Sequence, residues 1–171
     1  VSVIYLPLLD FEVLGTPVQQ GSTKSYGGGR TVHSNEKDLK PWRATVQFRA
    51  EQAIESFSDD PSVLASDVAD TYFPLEGPVC VVLDFTVKKP TTAPRTRTTW
   101  PSKRPDLDKM IRAILDALQP AGVYKDDAQV VEVKAKKMYP NEGRHALHVP
   151  GVRISVYRLA WLEETPPPGK E

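Results

Sequence analysis

Four carboxylates stand in two pairs, Asp106 with Asp108 and Asp126 with Asp127, and one apolar repeat separates the pairs. Hard oxygen donors drawn from two segments are what an octahedral Mg2+ or Mn2+ ion takes, and no softer ligand lies near them in sequence. Beside a cationic stretch, such an ion suits attack on a phosphodiester. It makes hydroxide from bound water and stabilises the charge that grows on phosphorus. Commoner uses account for the same residues. Asp106 suits a helix N-cap, the helix dipole favours an acid at Asp108 by about 0.3–1 kcal/mol, and Asp-Asp before a strand is often a solvated turn. Side chains two apart on a helix do not share a face. An N-cap residue lies outside helical geometry, however, and can turn its carboxylate toward its neighbour's.

Arg112 follows Asp108 by one turn on the same helical face, so it either pairs with Asp108 or reaches a phosphate. Asp116, a turn further, reads as a rung of a surface ion-pair ladder with Arg112. His33, His145 and His148 are remote in sequence from the carboxylates and read as polar loop or strand residues. Gly27-Gly28-Gly29-Arg30 lacks the Gly-Lys-Ser/Thr ending of a nucleotide-binding P-loop. Trp100 suits either the edge of a core or a stack on an unpaired base.

Net charge is zero, with 22 basic and 22 acidic residues, which at face value argues against a nucleic-acid partner. The distribution reverses that inference. Glu51 to Val87 holds eight acids and no Lys or Arg, whereas Lys88 to Pro105 holds Lys88, Lys89, Arg95, Arg97, Lys103 and Arg104 and no acid. Lys24 to Arg49, which includes Arg30, also leans basic. Cationic loops of this kind can meet a polyanion even on a neutral protein.

Positioning these groups falls to elements that the pattern separates well. Phe11 to Leu14 is a strand signal broken by Gly15-Thr16-Pro17, after which a glycine-rich polar loop, predicted to be mobile, runs through Gly29. Pro41, Trp42, Val46, Ala50, Ala53, Ile54 and Phe57 predict a helix over 41–57, with Asp38 near its start. A short helix is expected around Val63 to Val68. Val79 to Val87 alternates as a half-buried strand in which Cys80 is core. Leu107, Met110, Ile111, Ile114, Leu115 and Leu118 then give an amphipathic helix from Asp106, ended by Pro120 and Gly122. Val130 to Tyr139 reads as a strand, and Asn141-Glu142-Gly143 as a hairpin turn into a last strand at Val152, Ile154 and Val156. The expected fold is α+β: one domain over 1–162, a mixed sheet of about four strands with two main helices packed on it, and a disordered tail over 163–171. One cysteine excludes a disulfide scaffold, and no apolar run reaches the roughly 18 residues of a membrane span, so a cytoplasmic protein with no membrane partner is expected.

The run Arg104-Pro105-Asp106-Leu107-Asp108-Lys109, then Leu115-Asp116-Ala117-Leu118, then Ala121-Gly122-Val123-Tyr124-Lys125-Asp126-Asp127-Ala128-Gln129-Val130-Val131 resembles the RusA family of Holliday junction resolvases. Gly15-Thr16-Pro17, Gln20-Gly21-Ser22 and Lys40-Pro41-Trp42-Arg43 extend the likeness to most of the chain. The resemblance implies a homodimeric, Mg2+-dependent endonuclease, with Mn2+ a possible substitute, that nicks opposed strands of a four-way DNA junction symmetrically. It implies Asp106, Asp108 and Asp127 as metal-binding catalytic carboxylates, with Asp126 a neighbour behind them. Where the family often carries a functional Lys, this chain has Arg112, which keeps the charge but cannot donate a proton at neutral pH. Lys24, Arg30, Lys88, Lys89, Arg95, Arg97, Lys103 and Arg104 are the expected DNA-binding cations. A branched-DNA-binding protein without nuclease activity, and a hydrolase of small phosphoesters, are the competing readings.

Overall fold

Alternation along β4 (Val79–Thr86) sends Val79, Val81, Leu83 and Phe85 to one face, where they are fully buried at the centre of the core. The computed structural model describes residues 2–26, 30–64, 66, 68 and 71–162, with the side chains of residues 23–26, 30–33, 64 and 162 outside that description. The 27–29 end of the loop expected to be mobile and the 163–171 tail therefore lie outside the described residues.

β4 lies inside a four-stranded sheet of order β1-β6-β4-β5, formed with β1 (Ser2–Leu14), β5 (Val130–Met138) and β6 (Gly151–Leu162). β4 runs parallel to β5 and antiparallel to β6, and β6 runs antiparallel to β1. The mixed four-stranded sheet is the one expected. β1 is much longer than its Phe11–Leu14 signal, because a bulge between Pro7 and Leu9 lets it follow β6 to its end.

The hairpin expected at Asn141-Glu142-Gly143 does not form, because β4 lies between β5 and β6. Residues 139–150 instead carry the chain past the end of β4, where the N–H of Leu147 donates to the buried Thr86 hydroxyl (2.9 Å).

α1 (Glu36–Asp59) and α3 (Leu107–Leu118) cover one face of the sheet through Leu39, Trp42, Val46, Ala50 and Phe57 on the first and Met110, Ala113, Ile114, Ala117 and Leu118 on the second. α1 begins five residues earlier than expected, with Asn35 at its N-cap and Pro41 inside it. Buried Leu39, one turn before Trp42, extends the apolar stripe upstream of Pro41 and compensates for its missing N–H. The expected Val63–Val68 helix is the single turn α2 (Pro61–Leu64). β2 (Thr23–Tyr26), inside the stretch read as a loop, pairs with β3 (Arg30–His33), just beyond it, as an antiparallel ribbon.

Candidate active site

Asp106 occupies the N-cap of α3 but makes no side-chain capping bond. Its carboxylate instead accepts a hydrogen bond from Lys109 Nζ at 2.8 Å. That bond, followed by the charges of Lys109, Arg104 and Lys137, holds the carboxyl below its ordinary range against a partial desolvation. Asp106 is an anion with a cation already on it.

Two remote segments fix the backbone there. The N–H of Asp106 donates to Gln19 Oε1 (2.6 Å), and the N–H of Gln20 donates to the carbonyl of Lys109 (3.1 Å). Asn35 Nδ2 in turn donates to the carbonyl of Gln19 (2.7 Å), and a Cβ on Gly21 would lie 2.3 Å from Asn35 Oδ1, so a larger residue there would displace the Asn35 side chain. From the other side, Lys137 Nζ on β5 donates to the carbonyls of Lys103 (2.6 Å) and Pro105 (2.8 Å).

Asp108 and Arg112 are exposed one turn apart on α3, and among the described residues neither has an ion-pair partner. Asp116 does not complete the expected ladder. It accepts from Arg43 of α1, a contact that ties the two helices together.

Asp126 and Asp127 lie at the opposite end of α3. Asp126 is held in a capping box: its Oδ1 accepts from the N–H of Ala128 (2.8 Å), and its own N–H donates to Gln129 Oε1 (3.1 Å). Gln129 Nε2 donates to the carbonyls of Leu75 (2.9 Å) and Gly77 (3.0 Å), which pins the turn to the start of β4. Asp127 opens the following single 3-10 turn, exposed and without a partner among the described residues. Nearby, the Tyr124 hydroxyl donates to the carbonyl of Leu115 (2.9 Å). Burial, with the negative charges of Asp127 and Asp116, pushes that phenol far above its ordinary range.

The parallel β4-α3-β5 crossover causes this separation. α3 returns antiparallel to both strands, so its start lies by the end of β5 and its end by the start of β5. Twelve residues rise about 18 Å, whereas oxygens sharing one Mg2+ each lie about 2.1 Å from it. Accordingly, no three His, Cys, Asp or Glu side chains among the described residues come together closely enough to hold a metal ion. The donors have the right chemistry for a hard cation, but one chain does not close them on a single point.

Lys88, Arg95, Arg97, Lys103 and Arg104 are exposed along residues 88–104. Lys89 differs from them. It pairs with Glu142, with both side chains under one-fifth exposed, and lies over the Tyr139 ring at 5.5 Å, which removes it from the cations open to a phosphate. Glu142 Oε2 also accepts from the N–H of Thr99 (3.0 Å). Lys24 and Arg30 belong to the β2-β3 ribbon, with side chains outside the description. His145 meets Arg153, and His148 lies against Asn141.

Gln19, Lys109, Lys137 and Glu142 are thus the supporting residues that sequence reasoning misses. Only Lys109 carried a local signal, at i+3 from Asp106. The other three act from 32 or more residues away.

Among the described residues no helix is long and apolar enough to cross a membrane. Residues 16–150 match the family described as endodeoxyribonuclease RusA. The uncharacterised protein YqaN of Bacillus subtilis strain 168 is 26% identical over 136 residues, which span 80% of this chain and 91% of that one. The matched stretch contains the Gln19 strap, the loop of cations and both carboxylate pairs, and the chain belongs to the RusA endodeoxyribonuclease family.

Proposed function

We propose that this endonuclease resolves four-way DNA junctions by paired, symmetric nicks in a Mg2+-dependent reaction, acting as a homodimer on recombination, repair or phage DNA intermediates. The observation that carries the reading is the α3 start, where Asp106 and the unpaired Asp108 follow directly on the exposed cations Lys103 and Arg104.

Asp106, Asp108 and Asp127 would hold the metal, which when bound supplies an activated water and neutralises charge at the phosphate. Lys109 occupies only Oδ2 of Asp106, which leaves Oδ1 to serve as a ligand with the ammonium beside the site as a counter-charge. Arg112 offers a planar fork to the non-bridging phosphate oxygens and donates hydrogen bonds without giving up a proton. Lys103 and Arg104 hold the adjoining backbone, and Arg95, Arg97 and Lys88 hold phosphates further along, without reading sequence.

The separation of Asp108 from Asp127 supports the two-chain reading. A two-fold axis that runs two α3 helices antiparallel brings the start of one beside the end of the other, so each site would take Asp106 and Asp108 from one protomer and Asp127 from its partner. Two such sites suit a substrate with near two-fold symmetry.

The test is cleavage of a mobile synthetic junction in Mg2+ with the cut positions mapped. Paired cuts at symmetric positions, lost in Asp106→Asn and Asp127→Asn, are expected. Parental rates in either variant, or equal cutting of plain duplex, would overturn the reading.

A further inference from the structure

Trp100 is 73% exposed, although tryptophan is the largest apolar side chain and the expected alternative was the edge of a core. Singly exposed apolar residues are ordinary on protein surfaces. The surroundings of this one are not ordinary. Pro101, the next residue, is buried, and the N–H of Thr99, the residue before, is held by Glu142. The carbonyl of Trp100 itself accepts from the N–H of Ser102 (2.9 Å).

On the near side, Lys89 Nζ donates to the carbonyl of Arg97 (3.4 Å), and on the far side Lys137 holds the carbonyls of Lys103 and Pro105. The segment is therefore fastened on both sides of Trp100 while the indole projects into solvent. Arg95, Arg97, Lys103 and Arg104 surround it in sequence, all exposed, and Asp106 follows six residues later.

We propose that Trp100 is a stacking platform for an unstacked nucleobase at the branch point of the DNA, held at a set distance from the cleavage carboxylates. This deepens the junction-nuclease reading and rests on it. A π-face accepts any base, so the contact selects for the availability of an unstacked base and not for sequence. Continuous duplex offers no such base, whereas a branch point does at low cost. The surrounding cations bind backbone on either kind of DNA, so Trp100 is the group in this loop that separates the two. Because the loop is already fastened, little ordering is lost when a base docks.

The experiment measures binding of the full chain to a four-way junction and to a duplex of the same sequence, in EDTA, for the parent, Trp100→Ala, Trp100→Leu, Trp100→Phe and the control Trp161→Ala, whose indole is exposed on β6. Thermal melts verify that each variant folds. The expected result is a loss of junction affinity of about 5- to 150-fold in Trp100→Ala, a similar loss in Trp100→Leu, most of the affinity restored in Trp100→Phe, and no change on duplex or in Trp161→Ala. Equal losses on junction and duplex, parental junction affinity in Trp100→Ala, or rescue by Leu as good as by Phe would each overturn it. Failure of the parent to cut junctions in Mg2+ would sink the proposed activity instead, and leave the stacking result to be read by itself.

Discussion

Asp108 and Asp127 stand at opposite ends of α3, one in its first turn and the other beyond the loop that follows its last. Complementation separates a site built within one chain from one shared by two. Each single variant, Asp108→Asn or Asp127→Asn, is expected to be inactive by itself. Mixed and allowed to exchange subunits, they form hybrids in which a shared architecture places both substitutions in one site and leaves the other site wholly native. Nicking should return to about one quarter of the parental rate, since half the dimers are hybrid and each has one good site of two. Those nicks should fall on one strand per junction, with paired cuts still absent. A site built within one chain gives no recovery at any mixing ratio.

Gln19 acts on catalysis through the backbone of Asp106. Gln19→Ala removes the acceptor for the Asp106 N–H and should lower stability by about 1 kcal/mol. Cleavage in Mg2+ is expected to fall by about tenfold or more, because small displacements of a metal-binding carboxylate cost much in rate. Junction affinity in EDTA should stay at the parental level. Melting curves, gel shifts and single-turnover nicking distinguish this from a variant that is merely less stable.

Most of the scaffold around these residues was legible because it is local. The apolar repeat from Leu107 to Leu118 and the alternation from Val79 to Phe85 each report their own burial, and both helix and strand form where the pattern puts them. The order of the strands was not legible. β6 pairs with β4 while the connection after β5 is tied to Thr86, and no turn residue announces a contact made by a buried hydroxyl 61 residues away. The carboxylates were found by type and spacing, yet sequence proximity between α3 and Asp126-Asp127 says nothing of the crossover that puts them at opposite ends. Lys89 was indistinguishable in sequence from Lys88, and only the fold reveals Glu142 beneath it.

That distinction gives opposite outcomes for two cations of the same loop. Lys89→Ala leaves Glu142 without its ion-pair partner, so a lower melting temperature is expected. Trypsin should then cut faster after Arg95, Arg97 and Lys103. Arg95→Ala should leave melting and the trypsin cuts at Arg97 and Lys103 unchanged and reduce the slope of log affinity against log salt by about 0.9, the loss of one phosphate contact. If Lys89→Ala alters the salt slope alone, Lys89 faces DNA and its pairing with Glu142 carries no structural weight.

Acid should weaken the fold partly through Asp10 on β1. Arg153 of β6 donates to it twice, from Nε at 2.9 Å and from Nη2 at 2.5 Å, across the outermost strand pair. The Arg153 hydrogen bond, aided by its charge and by Ser155, holds the Asp10 carboxyl below its usual value although partial burial opposes this. A carboxylate whose folded pKa is depressed stabilises the fold fully above its unfolded value, and the contribution is lost as pH falls through the folded one. The melting temperature should therefore decline from about pH 4 downward, with part of the slope belonging to Asp10. Asp10→Asn should melt lower than the parent at neutral pH and approach it in acid, because the substitution removes only what protonation would remove. Both side chains are more than a quarter exposed, so the neutral-pH difference should shrink in high salt as well. A variant that stays equally far below the parent at every pH would show that Asp10 contributes through packing and not through its charge.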